Sequence, residues 1–389
     1  MTATNALQIS VLRRSTGERL AIGDQIWVWY EGTLVDGTPF DANYKFSSFN
    51  PVPNRTEFSF TLGVGQVIKG WDQALQNRQI GEVLELTIPS ELAYGSSGTG
   101  SLIPPNATLR FKVEIVAKRS PGSSVISGLT LANLGIDASR FQQQLGLIQA
   151  YKVGLDLGDS LTGGALRDLL LGLDGNDSLK GGNEADLLVA GNGNDQLEGG
   201  VGDDVLDGGA GSDTAVYGAA NNTVRLSVTG PQQTGEGRDT LIAIENVSAG
   251  GGNDAITGNA LSNTLNGGIG RDILDGGDGR DQLIGGADAD TFLYTLPSQS
   301  RAGSGFRDTI SDFNGASGDK INLSALDASS TAIGNQAFTY IGAQLFSGTA
   351  GEVRFAAGLL QLNTDADRLA NMEIELSNVS IFAKEYFIA

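Results

Sequence analysis

The sequence predicts a multidomain, strand-rich chain, with an α+β module at the front and a long repeat array behind it. Three observations carry this expectation. At 389 residues the chain is long enough for two or three separate cores. Its charge is split, since residues 1–119 hold 11 Lys and Arg against 11 Asp and Glu, whereas from residue 120 onward the counts are 14 and 34 and carry the whole net charge of −20. Glycine divides the same way, with 11 of 56 falling before residue 120, and from Gly163 an aspartate returns every nine residues. Two physically different modules are joined here.

Composition removes several classes of function. The chain has no His and no Cys, which excludes Ser-His-Asp and Cys-His catalysis, His-ligated zinc and disulfides. An acidic surplus argues against a nucleic-acid partner, because phosphate contacts need Lys and Arg. No apolar run reaches the length of a transmembrane segment, and the opening Met-Thr-Ala-Thr-Asn lacks a basic stretch followed by an apolar one, so no export through an N-terminal signal is expected.

In the front module, Ile26, Val28 and Tyr30 alternate with Trp27, Trp29 and Glu31, and Phe58, Phe60 and Leu62 with Ser59 and Thr61. Leu84, Leu86 and Ile88 alternate with Glu85 and Thr87, and Leu109, Phe111, Val113 and Ile115 with Arg110, Lys112 and Glu114. Each set reads as a strand with one face in a core. Val67, Trp71 and Leu75 recur every four residues, which predicts a helix over 66–77. Antiparallel strands with one short helix give an α+β domain whose sheet wraps the helix.

The segments Tyr30-Glu31-Gly32, Gly37-Thr38-Pro39-Phe40-Asp41, Val67-Ile68-Lys69-Gly70-Trp71, Ala93-Tyr94-Gly95 and Ile103-Pro104-Pro105 occur in the order found in FKBP-type peptidyl-prolyl isomerases, and the front module resembles that family over roughly residues 20–119. The resemblance implies an apolar pocket lined by Tyr30, Phe40, Phe58, Val67, Ile68, Trp71, Tyr94, Ile103 and Phe111, with the Trp71 indole as floor and Asp41 hydrogen-bonded to the Tyr30 hydroxyl. It also implies that the Ile68 N–H and the Tyr94 hydroxyl hold carbonyls of a bound prolyl peptide. Gln66 stands where well-known members have an acid, Thr99 and Ser101 replace common flap residues, and an insertion runs from Ala42 to Glu57.

Behind it, six nine-residue units start at Gly163 and place Asp168, Asp177, Asp186, Asp195, Asp204 and Asp213 at position six, with Leu170, Leu179, Leu188, Leu197, Leu206 and Ala215 at position eight. A second block has Asp254, Asp272, Asp281 and Asp290 at position six, with Asn263 in the remaining slot. Gly199-Gly200-Val201-Gly202-Asp203-Asp204-Val205-Leu206-Asp207 shows the pattern in full, and it resembles the calcium-binding repeat of RTX proteins. Glycines open turns and free carbonyls, and an aspartate adds the hard anionic oxygen that Ca²⁺ takes in shells of six to eight. The resemblance implies parallel β-roll blocks with calcium between a unit and the next but one, about four ions in the first block and about three in the second. One apolar residue per nine does not offset backbone ordering, so the array is expected to fold only on binding Ca²⁺. A metal-free, purely structural array is the rival.

Ser120 to Ser124 reads as a joint, 141–151 as a short helix and 218–249 as strands connecting the blocks. Arg307-Asp308-Thr309-Ile310 through Gly318-Asp319-Lys320-Ile321 is similar to the C-terminal region of serralysin-type proteases, whose activity the absence of His excludes. The final Glu385-Tyr386-Phe387-Ile388-Ala389 resembles the ends of type I-exported proteins. The expected organisation is thus an isomerase domain over 1–119, a linker over 120–162, repeat blocks over 163–217 and 250–294 around a connector, and a β-rich cap with a secretion region over 295–389. Expected partners are proline-containing peptides or unfolded proteins, type I secretion machinery and a cell surface. The rival is a calcium-dependent surface or adhesion protein with a non-catalytic front module.

Overall fold

The computed structural model describes residues 6–388 apart from 49, 54, 124, 125, 129, 135, 138–140, 142–144, 146, 331–333 and 366. The chain divides into two compact units, Met1–Leu161 with Leu171–Asp177, and Thr162–Leu170 with Ser178–Ala389. Lys69–Ala74 is the one α-helix among the described residues; strands dominate elsewhere.

The first unit contains β1 (Gln8–Arg13), β2 (Gln25–Leu34), β3 (Pro39–Ala42), β4 (Tyr44–Lys45), β5 (Asn50–Pro51), β6 (Phe58–Thr61), α1 (Lys69–Ala74), β7 (Val83–Ile88) and β8 (Leu109–Arg119). The sheet runs β1-β7-β8-β2-β3, with β6 also on β2, and every one of these pairs is antiparallel. Alternation puts Ile26 and Val28 of β2, Leu84, Leu86 and Ile88 of β7, and Leu109, Phe111, Val113 and Ile115 of β8 on one face, where they bury against Trp71, Ala74 and Leu75. Each such side chain contributes about 1.5–3 kcal/mol on burial. Gly70 sets the helix-to-sheet distance, because a Cβ there would strike the Ile88 side chain.

The helix is shorter than the stripe suggests. Ile68 is its extended N-cap (φ −58°, ψ 145°), Leu75 closes it, and Asn77 turns the chain at φ 61°. Val67 therefore joins the same core from the approach to α1, and the four-residue recurrence reflects shared burial rather than three helical turns.

Part of the stretch expected as a linker belongs to the first unit. Ser127–Gly128 pairs with β8, the Thr16 N–H donates to the Asn133 carbonyl, and Leu155 is buried with Phe46 and Val83. Arg13, 1 % exposed, donates to the Gly81 and Gly154 carbonyls and forms an ion pair with Glu114. Of the helix expected over 141–151, residues 142–144 and 146 lie outside the described residues, 147–149 are not helical, and Ala150–Val153 is a strand.

In the second unit, strands of the next-but-one repeat pair in parallel, Ser178–Asn183 with Gln196–Val201 and Leu187–Gly193 with Val205–Gly211. Position-eight residues meet across these ladders, Leu179 opposite Leu197 and Leu188 opposite Leu206, all fully buried. One sheet carries straight through the connector, from Thr214–Val216 to Asn246–Ser248 and on to Thr264–Ile269, Gln282–Ala287, Asp308–Ile310 and Met372–Leu376. The connector is thus a rung of that sheet as well as a link. On the other side, Thr223–Arg225 starts a separate sheet that ends with Phe387–Ile388 beside Lys320–Asn322. Phe313, Tyr340, Phe355, Phe382, Tyr386 and Phe387 form an aromatic cluster there.

Candidate functional site

Several elements of the first unit bring the candidate pocket together. β2 supplies Tyr30, β3 supplies Phe40 and Asp41, β6 supplies Phe58, α1 supplies Trp71 and β8 supplies Phe111. The Tyr30 hydroxyl donates to Asp41 Oδ2 at 2.6 Å. Burial, reinforced by that carboxylate, pushes the Tyr30 phenol well above its ordinary value, so it stays a donor at neutral pH. Trp71 is 4 % exposed and stands edge-on to Tyr30 at 5.4 Å, to Phe111 at 5.2 Å and to Phe58 at 6.2 Å between ring centroids. Phe40 meets Phe111 at 5.4 Å.

A cleft of about 360 Å³ opens beside this cluster, lined by Phe40, Asp41, Tyr94 and Ile103 and also by Thr99, Gly100, Ser101 and Leu102. Tyr30, Phe58, Val67, Ile68, Trp71 and Phe111 do not line that cleft. Tyr30, Val67, Ile68, Trp71 and Phe111 pack in the core beneath it, and Phe58, 40 % exposed, lies against Tyr30. Thr99 and Ile103 exchange backbone hydrogen bonds at 3.0 and 3.2 Å, which closes the 99–103 turn and presents its middle residues to the cleft. Sequence reading marked Thr99 and Ser101 only as departures, because no pattern says which way a loop side chain faces. Gln66 accepts the Thr61 N–H through Oε1 at 2.7 Å, an acceptor role that does not require a charge.

In the repeats, the position-six aspartates form ladders. The Asp186 N–H donates to Asp204 Oδ1 at 2.7 Å, Asp195 to Asp213 at 2.8 Å, Asp254 to Asp272 at 2.8 Å and Asp272 to Asp290 at 2.9 Å. Asp168 donates to Asp186, Asp281 accepts from Asn263, and in the first unit Asp177 accepts from Asp159, each at 2.8 Å. All ten expected aspartates are 3 % exposed or less. One carboxylate oxygen therefore has a structural task. The other, Oδ2 of Asp186, Asp204, Asp213, Asp254, Asp272, Asp281 and Asp290, is buried with no hydrogen-bond partner. Burial, with neighbouring carboxylates adding to it, pushes Asp204 and Asp281 up to about 8, Asp186 and Asp290 to about 7, and Asp213 and Asp254 to about 6.

These orphaned oxygens suit a cation. A Cβ on Gly199, Gly267 or Gly276 would strike Oδ2 of Asp204, Asp272 or Asp281, and one on Gly200 (φ +92°) would strike the Gly182 carbonyl oxygen. Glycine backbone thus packs directly on these carboxylates, and the groups beside it are hard oxygens. Among the described residues no three acidic side chains converge on one point, so carbonyls rather than extra carboxylates would have to complete a shell.

Residues 17–116 match the FKBP-type peptidyl-prolyl cis-trans isomerase family. The chain is 39 % identical over 110 residues to FK506-binding protein 1 of Dictyostelium discoideum and 44 % identical over 111 residues to the FK506-binding protein of Neisseria meningitidis serogroup C, covering 95 % and 94 % of those proteins with 28 % of itself. It belongs to the FKBP family. A third relative, FK506-binding protein 2 of Debaryomyces hansenii, is 48 % identical over 114 residues, 78 % of that protein and 28 % of this chain. Behind the FKBP domain, four overlapping copies of the RTX calcium-binding nonapeptide repeat match within 153–224, and the serralysin C-terminal family of peptidase M10 matches 234–388. This last match is wider than the 307–323 motif that suggested it.

The aspartate ladders continue past the glycine-rich units. Asp204 donates to Asp239 at 3.0 Å, Asp213 to Glu245 at 2.9 Å, Asp281 to Asp308 at 2.8 Å and Asp290 to Asp319 at 3.1 Å. Sequence reading assigned none of these four a place in the ladder. Their signal was present as an acid two residues before Leu241, Val247, Ile310 and Ile321, without the glycine pair that opens most of the other units.

Proposed function

We propose that this chain is a secreted peptidyl-prolyl isomerase whose FKBP domain acts at the Tyr30, Asp41 and Trp71 pocket and whose repeats form a calcium-binding parallel β-roll. The Tyr30–Asp41 hydrogen bond above a Trp71 floor carries the catalytic part, because the proton that Tyr30 donates to Asp41 fixes the phenol oxygen as one directed polar atom in an apolar site. Rotation about an X-Pro bond faces a barrier of about 18–20 kcal/mol from lost amide resonance. The twisted amide has a smaller dipole than the planar one, so a cleft walled by Phe40 and Ile103, with the rings of Phe58 and Phe111 packed around Tyr30, would favour it over the ground state. Ile68 N–H and the Tyr94 hydroxyl would hold the flanking carbonyls while Tyr30 stays oriented by Asp41. No nucleophile or proton shuttle is needed, which fits a chain without His or Cys.

In the repeats, calcium would be held by Oδ2 of Asp186, Asp204, Asp213, Asp254, Asp272, Asp281 and Asp290 with glycine carbonyls, and it would supply the positive charge that these buried oxygens lack. Repeats of this type followed by a serralysin-like C-terminal region support type I export and an extracellular site of action. The reading is tested on the full chain by cis-trans relaxation of a proline peptide. Trp71→Ala and Asp41→Ala should each lower kcat/KM by about tenfold or more, and activity indifferent to both would overturn the pocket. Recovery of that activity from cells but not from their medium would overturn export.

A further inference from the structure

The chain enters the inserted segment directly after Asp41 and Ala42, and the first buried residue there is Asn43, 3 % exposed. Its polar groups are engaged throughout. Oδ1 accepts the Tyr30 N–H at 2.6 Å, and Nδ2 donates to the Val28 and Thr56 carbonyls, both at 3.1 Å. Its own N–H donates to the Tyr30 carbonyl at 3.0 Å, and its carbonyl accepts the Val52 N–H at 3.0 Å. One residue thus grips both main-chain polar groups of Tyr30, and it sits two positions after the carboxylate that receives the Tyr30 hydroxyl.

No smaller or differently charged side chain reproduces this. Alanine leaves the Tyr30 N–H and the Val28 and Thr56 carbonyls without these partners, and a polar group left buried and unsatisfied is destabilising. Aspartate keeps the acceptor for Tyr30 but turns an oxygen toward two carbonyl oxygens. A displacement of about 1 Å is enough to break a hydrogen bond of the Tyr30–Asp41 kind. The same Nδ2 reaches Thr56 at the far end of the insertion, two residues before the rim residue Phe58. The inserted segment is therefore wired to the pocket through Asn43.

We propose that Asn43 is a positioning residue of the isomerase site, holding Tyr30 in register with Asp41 and tying that pair to the inserted segment. The proposal rests on the pocket assigned above. Its test is a double-mutant cycle on the full chain, with kcat/KM for a proline peptide measured in the unaltered protein, Asn43→Ala, Tyr30→Phe and the double variant. If Asn43 acts through the Tyr30–Asp41 pair, Asn43→Ala lowers kcat/KM by about tenfold alone but by less than about twofold once Tyr30 has lost its hydroxyl. Equal losses in both backgrounds, or none, overturn it in favour of a purely structural role. Tyr30→Phe without effect sinks the assigned pocket and this proposal with it, whereas an effective Tyr30→Phe with an additive Asn43→Ala sinks this proposal alone. Should Trp fluorescence show Asn43→Ala unfolded, Asn43→Ser, which brings no charge into the buried site and is too short to reach all three partners, takes its place in the cycle with the same expected pattern. If the unaltered chain binds proline peptides without turning them over, the cycle is read on peptide affinity.

Discussion

Around Trp71 in the first unit, Ile26, Val28, Leu84, Leu86, Leu109 and Val113 come from three neighbouring strands, and the residues that build this core carry no net charge between them. In the first repeat block each nine-residue unit buries one to three apolar side chains, Leu179 in one unit and Leu187 with Leu188 in the next, and each also buries an aspartate. Burial of Leu or Ile is worth about 1.5–3 kcal/mol per side chain, while fixing the backbone costs about 1–2 kcal/mol for every residue. The buried Asp24 of the first unit has an ion-pair partner in Lys118. Asp186, Asp204 and Asp213 of the repeats have none at Oδ2, and burying their carboxylates adds to the cost unless something neutralises them. The difference teaches where stability is intrinsic and where it depends on what is bound.

The largest way to break this contrast is to remove the metal. Chelation of the full chain should abolish most β structure of the repeat unit and leave the FKBP domain folded, and calcium at about 0.1–1 mM should restore it. Far-UV circular dichroism reports on the whole chain, and Trp27, Trp29 and Trp71 report on the first unit alone. Unchanged dichroism on chelation would mean that the repeats stand without a cation. A Trp signal that moves with the repeats would mean that the FKBP domain does not hold independently.

The same contrast explains what was legible in the sequence. Period-two alternation located β2, β6, β7 and β8, since one buried face forces it. The nine-residue phase located every aspartate of the two blocks, since a turn that repeats must repeat the residue that bonds it to the next. The limits of α1 were not legible, because Val67 and Leu75 are buried from outside the helix and a stripe does not record where the backbone stops turning. Asp239, Glu245, Asp308 and Asp319 escaped because they hold the ladder without flanking glycine pairs. Asn43 escaped for another reason. A single asparagine has no period, and its importance lies in five hydrogen bonds that only the fold brings together.

A smaller effect sharpens the comparison through pH. Without metal, the carboxyls of Asp204 and Asp281 rise to about 8 and those of Asp186 and Asp290 to about 7, from an ordinary 3.8, chiefly through burial. Groups raised in the folded state bind protons more tightly there than in the unfolded chain. Their contribution is therefore complete below the unfolded value and is lost as pH rises through about 7–8. The chelated repeat unit should accordingly hold more β structure at pH 5 than at pH 8, and the calcium midpoint should rise as pH falls, because protons compete for the same oxygens. A chelated chain better folded at pH 8 than at pH 5 would contradict the buried, orphaned carboxylates.

The finest test separates the two oxygens of one aspartate. Asp204→Asn keeps the shape of the side chain and an oxygen that can go on accepting the Asp186 N–H, now 2.7 Å from Oδ1. It removes the negative charge at Oδ2, the oxygen that has no partner. A ladder that is only structural should not notice the change beyond about 0.5 kcal/mol, and calcium stoichiometry by calorimetry should stay the same. A ladder built for a cation should lose about one ion and need several-fold more calcium to fold, since a charged ligand has become a neutral one. In chelator the variant should be no less stable than the unaltered chain, because a buried charge without a partner has been removed. The pairing of weaker calcium binding with undiminished metal-free stability would come from no other arrangement of these two oxygens, and loss of stability in both conditions would assign Asp204 to the scaffold alone.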